Sequence, residues 1–182
     1  TTTTGNPTTK TMASMASTPA TTLTWFQRGD RFEGVVVDGE MVRGTYWHED
    51  GSRYEGEFAQ SARHGQGTFR YVDGSTYCGA FKDNKKDGHG TMAYADGSRY
   101  DGHFKDNKKD GKGTMAHADG SSYDGHYRNG LMHGHGQYTW PNGVKYVGDW
   151  ENDQRHGIGQ MFFSDNEPAY RARWIRDQRQ FA

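Results

Sequence analysis

FKDNKKDGHGTMAYADGSRYDGH, Phe81–His103, is followed without a break by FKDNKKDGKGTMAHADGSSYDGH, Phe104–His126. Two near-copies in tandem make internal repetition the first question. Aligned on aromatic-x-Gly, units begin at Phe32, Tyr54, Tyr77, Tyr100, Tyr123 and Tyr146, spaced by 22 residues and then four times by 23. Each opens with a strict alternation, as in Tyr54-Glu-Gly-Glu-Phe58, which puts Tyr, Gly and Phe/Trp on one face and polar residues on the other. Period 2 over five residues predicts a half-buried strand. The second half of each unit alternates too, with Phe69 and Tyr71, Met92 and Tyr94, or Tyr138 and Trp140 on one face. It ends in Asp-Gly or Asn-Gly, a hairpin signal. The polar stretch between the halves, DNKKDG in the near-copies, is expected to be a solvated loop that ends at Gly88 or Gly111. Each unit is therefore a pair of antiparallel strands, and the chain is a long meander.

Composition agrees with a repeat architecture. Only 31% of the 182 residues are hydrophobic, while 26 are Gly and 14% are aromatic. That is too little aliphatic side chain for an ordinary core and too much aromatic for a disordered chain, whereas stacked repeats need only pack on their neighbours. The net charge of −1 gives no global electrostatic case for nucleic acid or an anionic membrane. The lone Cys78 excludes an internal disulfide and suits a reducing compartment. No apolar run reaches transmembrane length or resembles a signal-peptide core.

Three regions follow. Residues 1–21 are Thr/Ser-rich, with Lys10 the only charge, and are expected to be a low-complexity tail; an acid-free start of this kind also resembles an organelle transit remnant. Residues 22–174 are the array, with a half-unit at 22–31 (Gly29 in the Asp-Gly position), the six units, and a half-unit at 170–174 in which Ala172 replaces the strand glycine and suggests an end cap. Residues 175–182 form a basic tail. The strand glycines Gly56, Gly79, Gly102, Gly125 and Gly148 lie between two aromatics, where a side chain is expected to collide with rings of the next unit.

The segments YEGEF, RHGQG, VDGS, YVGDW and RHGIG resemble the MORN (membrane occupation and recognition nexus) repeat family, whose pattern is approximately YEGEWxNGKxHGxGxxxxxDGxx. The resemblance runs from about Thr22 to Trp174. It implies an all-β fold, an elongated and twisted single-layer antiparallel sheet of tandem β-hairpins. It also implies interaction work rather than a particular chemistry. A small free-standing array most resembles the cytoskeletal adaptors, such as those of radial spoke heads. Three departures stand out. The Phe32 unit lacks one residue and the first loop glycine, Asp87 and Asp110 replace the loop histidine, and SDNEP stands where the last Asp-Gly turn is expected, so that this turn is expected to break the pattern.

Catalytic and ligand readings fail on particular residues. Asp83–Gly88 looks like the start of a calcium loop, but Lys85 fills a ligand position and Tyr94 stands where the bidentate glutamate belongs. Gly111-Lys112-Gly113-Thr114 lacks the Ser/Thr directly after the lysine that a phosphate loop needs. Histidines in one row, such as His64, His133 and His156, lie at least one repeat apart, about 9–10 Å or more. That is too far to share a zinc ion, so they are read as turn caps. No nucleophile–base set appears. The chain is read as a non-enzyme with no cofactor and no metal.

The aromatic face is the candidate site. A single-layer sheet has no second layer to cover it, and an uncovered aromatic strip marks an interaction surface. Its expected protein-binding residues are Tyr71, Tyr94, Tyr100, Phe104, Tyr123, Tyr127, Tyr138, Trp140, Tyr146 and Trp150. The partners would be other proteins of a multi-subunit assembly, for example an amphipathic helix lying in the aromatic groove. The leading reading is a scaffold in a cytoskeletal assembly such as a ciliary axoneme, located in the cytoplasm. The alternatives are a peripheral membrane adaptor for anionic phospholipid and an accessory subunit in a mitochondrial or plastid matrix.

Overall fold

The computed structural model describes residues 21–27 and 29–180; the first twenty residues of the expected N-terminal tail lie outside that range. The strands are β1 (Thr21–Gln27), β2 (Asp30–Val37), β3 (Glu40–Trp47), β4 (Arg53–Ala59) and β5 (Ala62–Arg70). They continue with β6 (Thr76–Lys82), β7 (Lys85–Ala93), β8 (Arg99–Lys105), β9 (Lys108–Ala116) and β10 (Ser122–Arg128). The last are β11 (Leu131–Thr139), β12 (Lys145–Glu151), β13 (Gln154–Phe162), β14 (Pro168–Ile175) and β15 (Gln178–Gln180). All fifteen form one sheet in sequence order, each antiparallel to the next. At about 4.8 Å per strand the sheet is about 65–70 Å long, with the right-handed strand twist accumulating along it. The meander of hairpins is what the alternation predicts, and the all-β single-layer sheet is what the MORN resemblance implies.

Two turn types alternate. Between the halves of a unit the loop is only two residues, Asp83-Asn84 or Asp106-Asn107, both at positive φ (48° and 68°, 47° and 69°). This is a type I′ hairpin, whose twist matches that of the strands and which favours Asn, Asp and Gly. The expected six-residue DNKKDG loop is thus corrected: Lys85-Lys86-Asp87-Gly88 already belong to β7. The pairing absorbs the surplus residues as a bulge. Gly56 faces Gly67 but Glu57 faces His64, so two residues of β5 have no opposite number. In the Phe32 unit Val35 faces Arg43 and Val36 faces Met41, which leaves one. The missing residue of that unit is a bulge residue.

Between units the turn is closed by Tyr71 N–H to Ser75 O (2.9 Å) and Gly74 N–H to Tyr71 O (3.1 Å), with Gly74 at φ 90°. The Asp73 carboxylate accepts from Ser75 N–H at 2.8 Å, an Asx turn. The turn at SDNEP keeps this geometry, against expectation. Asn166 takes the left-handed position at φ 70° and its N–H reaches Phe163 O at 3.0 Å. Asn is one of the few side chains that tolerate that conformation.

The sheet also runs past the expected end of the array at Trp174. Residues read as a basic tail complete β14, turn at Arg176-Asp177 (φ 48° and 62°) and return as β15. Asp177 explains the continuation: its carboxylate accepts from Arg155 N–H at 2.9 Å, tying the last turn to the preceding repeat.

The core sits on one face. Tyr54, Tyr77, Tyr100, Tyr123 and Tyr146 are fully buried, together with Phe32. Each Tyr meets the aromatic four residues on edge to face, as Tyr100 does Phe104 at 5.1 Å and 87°. It also meets the same aromatic of the following unit, as Tyr100 does Tyr127 at 5.2 Å and 88°. The chain of rings continues through Tyr123–Trp150 and Tyr146–Trp174. Ring edges are positive and faces negative, so each contact adds about 0.5–1.5 kcal/mol beyond area burial. Among the described residues a herringbone of rings thereby takes the place of a second layer.

Candidate functional site

The strand glycines make this ring layer possible, for a reason other than the expected one. A Cβ on Gly56 would stand 2.6 Å from the hydroxyl of Tyr54, in its own unit, and 2.6 Å from the Cα of Gly67 on the paired strand. The ring that forbids a side chain is the unit's own tyrosine, lying flat over both glycines, and not a ring from the next unit. The same holds at Gly79, Gly102, Gly125 and Gly148. The tyrosine hydroxyl donates to the carbonyl three residues on, Tyr54 to Glu57 O at 2.8 Å and Tyr77 to Ala80 O at 2.9 Å. That carbonyl lies where the bulge opens the ladder, so the phenol satisfies a group the sheet leaves over. Burial of these phenols raises their pKa, to about 12 for Tyr54 and Tyr146.

Six of the ten residues expected to bind a partner are therefore core. Tyr100, Tyr123 and Tyr146 are fully buried, and Phe104, Tyr127 and Trp150 nearly so. They form the floor of the face and not its contact surface. The sequence pattern puts them on the aromatic face, but it does not show that rings pressed onto glycines cover one another. The remaining four, Tyr71, Tyr94, Tyr138 and Trp140, are half-buried. They pack against the core from the ends of the second strands and keep one side open.

A row of cations runs beside them, which the sequence reading missed. Once the turn is two residues, Phe58 faces Arg63, Phe81 faces Lys86, Phe104 faces Lys109 and Trp150 faces Arg155. Each cation then shares the face of the rings. Lys86 Nζ lies 5.7, 5.5 and 5.3 Å from the ring centres of Tyr71, Tyr77 and Phe104. Lys109 is caged by Tyr94, Tyr100 and Tyr127 at 5.6, 4.9 and 5.4 Å. Arg63 lies 4.9 Å over Phe69, and Arg155 lies 4.1 Å over Trp174. These are cation–π distances. Desolvation holds Lys86 and Lys109 below the ordinary lysine pKa. The signal was present in the sequence: reading Asp-Asn as a type I′ turn aligns these positions with the rings.

At the N-terminal end the face opens into a groove of about 490 Å³, lined by Met41, Tyr46, His48, Tyr54, Phe58 and Arg63 among others. Burial, together with the hydrogen bond Tyr46 donates to Asp30 at 2.7 Å, pushes the Tyr46 pKa up to about 12.

The opposite face is polar. His89 lies 3.3 Å from Asp101 and His135 3.2 Å from Asp149, as exposed pairs. His64 reaches 3.6 Å from Asp83 in the following turn. Among the described residues no three of His, Cys, Asp and Glu come together to hold a metal ion. Cys78 is an exposed thiol on this face.

The MORN repeat profile matches six consecutive segments, residues 32–53, 54–76, 77–99, 100–122, 123–145 and 146–167. No curated protein matches the chain by sequence. Among solved structures, the chain is similar to the TCP domain of Drosophila melanogaster SAS-4 (dCPAP), in complex with a proline rich motif of Ana2 (dSTIL). The TM-score is 0.51 at 12% identity, over 90% of this chain and 96% of that one. It also aligns with the TCP10 domain of Danio rerio CPAP, in complex with a peptide of STIL, with TM-score 0.29 and 11% identity over 85% and 100%. The first likeness is one of fold, an open sheet of antiparallel strands. Six tandem matches over the same units that the ring ladder and the turns define make the conclusion plain: the chain belongs to the MORN repeat family.

Proposed function

We propose that this chain is a non-catalytic scaffold that binds a segment of a partner protein along its aromatic face, as a structural subunit of a larger assembly. One observation carries the proposal. Tyr71, Tyr94, Tyr138 and Trp140 form a half-buried aromatic row on a rigid floor of buried rings, and among the described residues no second layer covers them. Rigid aromatics with one open side are the groups that bind at low entropic cost. An amphipathic helix laid across the strands would set its apolar side chains against this row. The similarly folded Drosophila domain, in complex with a proline rich motif, supports a peptide as the kind of partner. A cytoskeletal setting, such as a ciliary axoneme in the cytoplasm, rests on the family resemblance alone.

The test compares proteins captured from cell extract by the native chain, by Tyr138→Ala/Trp140→Ala and by an opposite-face variant, Asp124→Asn/His126→Gln. Matched melting curves would establish that all three fold. The proposal expects a partner set lost only with the aromatic variant. Equal capture by all three, or loss only with the opposite-face variant, places the site elsewhere. A parallel flotation with anionic liposomes checks the phospholipid alternative.

A further inference from the structure

Among the described residues three cations of the aromatic face form no ion pair, and only Lys109 feels a carboxylate at longer range, that of Asp153. Arg63, Lys86 and Lys109 occupy one register position in three successive repeats, each among rings and each half-buried. Among the described residues no carboxylate forms an ion pair with any of them. Arg155, in the same row, is paired with Asp177 at 2.8 Å, and Lys85, beside Lys86 in sequence, with Asp106 at 2.7 Å. Arg63 satisfies its donors on neutral groups of Asn84.

The fold does not require charge at this position. Met41 faces Val36 and Met132 faces Tyr127 in the same register; the Met132 repeat keeps the Tyr123–Tyr127 ring contact, and in the Met41 repeat Phe32 still meets Phe58 edge to face. A thioether fills the slot with no charge to desolvate, whereas a half-buried cation without an anion is a cost that ring faces offset only in part. Three successive repeats carry that cost where methionine would serve the packing.

We infer that Arg63, Lys86 and Lys109 select an acidic protein segment, one carboxylate meeting each repeat while apolar side chains lie on Tyr71 and Tyr94. This rests on the aromatic face being the protein-binding surface and adds the charge of the partner. Two strands per repeat place successive cations about 9–10 Å apart. A helix presents every seventh residue on nearly the same side, about 10.5 Å apart. An amphipathic helix with Asp or Glu at seven-residue intervals therefore matches the row. The chain's own first twenty residues contain no Asp or Glu, so they lack the chemistry to occupy it.

The test uses the full chain and Lys86→Met/Lys109→Met, a substitution the array already makes at Met132. Random peptides of about 20 residues, enough for a helix of about 30 Å, are displayed and selected on the native chain. The inference expects enrichment of Asp and Glu at seven-residue spacing, binding that weakens with salt, and a Kd about tenfold weaker for the Met variant. The salt dependence and the enrichment are read on the native chain and do not depend on the variant folding.

Selected peptides without acidic enrichment, released by Tyr138→Ala/Trp140→Ala, would overturn the inference and leave the scaffold reading standing. Acidic enrichment that persists unchanged in a folded Met variant would overturn it too. Failure to select any peptide would sink both readings. Phosphatidylserine-doped vesicles bound through these lysines, with no acidic peptide selected, would replace the protein segment by a lipid surface. Concentration-dependent self-association lost in the Met variant would assign the row to a second copy of the chain.

Discussion

Tyr100 lies flat on Gly102: a Cβ built there would stand 2.6 Å from the Tyr100 hydroxyl and 2.5 Å from the Cα of Gly113 across the pair. The glycine is required by the ring and not by its own backbone, because its φ is ordinary for a strand. Gly97, in the turn before it, is the reverse case, with φ 90° and open space where a side chain would go. Gly102→Ala is therefore expected to cost about 3 kcal/mol, since strand and ring must both move. Gly97→Ala should cost about 1–2 kcal/mol, from left-handed strain alone. Urea unfolding of the two variants measures the difference. Equal losses would mean that the ring adapts more freely than its packing indicates.

The same layer separates folding from binding among the aromatic residues. Phe104 is 5% exposed and joins Tyr100 to Tyr77 edge to face, while Tyr94 is half-buried at the margin. Phe104→Ala is expected to cost about 3–5 kcal/mol, as for other buried aromatics. Tyr94→Ala should cost about 1 kcal/mol. Denaturation midpoints check this. Only the marginal ring is then usable for partner mapping, because loss of capture by Phe104→Ala would report unfolding.

How far the sequence could be read depends on which contacts are local. The alternation of Tyr54-Glu-Gly-Glu-Phe58 specifies strand and face directly, so the meander and its core side were legible. Burial of Tyr100, Tyr123 and Tyr146 was not, because it arises from a ring of one repeat meeting a ring of the next, and period 2 carries no information about that distance. The fate of Lys86 turned on the turn length. In a six-residue loop it is solvated; after a two-residue type I′ turn it faces Phe81. The role of Ser75 was likewise invisible: only 3% exposed, its hydroxyl accepts from Ala95 N–H at 3.1 Å in the next repeat, a contact 20 residues away.

The turn that was misread makes its own prediction. Asn107 sits at φ 69°; its side-chain oxygen accepts from Lys86 N–H at 2.9 Å while its own N–H donates to Lys86 O at 3.0 Å. This two-point clasp joins successive repeats. The equivalent Gly130 keeps only the backbone half, donating to Lys109 O at 2.8 Å. Asn107→Gly preserves the conformation and loses one hydrogen bond, for about 1 kcal/mol. Asn107→Ala adds left-handed strain of about 1–2 kcal/mol. The order Asn, Gly, Ala in thermal midpoint checks the account; Ala equal to Gly would show that the turn relaxes out of the left-handed region.

Buried phenols set an alkaline limit on the array. Desolvation raises the pKa of Tyr54 and Tyr146 to about 12, and raises Tyr77, Tyr100 and Tyr123 further. An unfolded tyrosine ionises near pH 10. Below that, both states hold the proton and the stabilisation is fully present. As pH rises from about 10 towards 12, the unfolded chain releases protons that the folded chain retains, so stability falls. The expected result is a stability plateau at neutral pH and a cooperative loss of sheet above pH 10. Phenolate absorbance from the core tyrosines should appear together with that loss and not before it. A titration in which their phenolate signal develops near pH 10 while the sheet remains intact would show that these rings are open to water, and the ring layer proposed as the core would have to be abandoned.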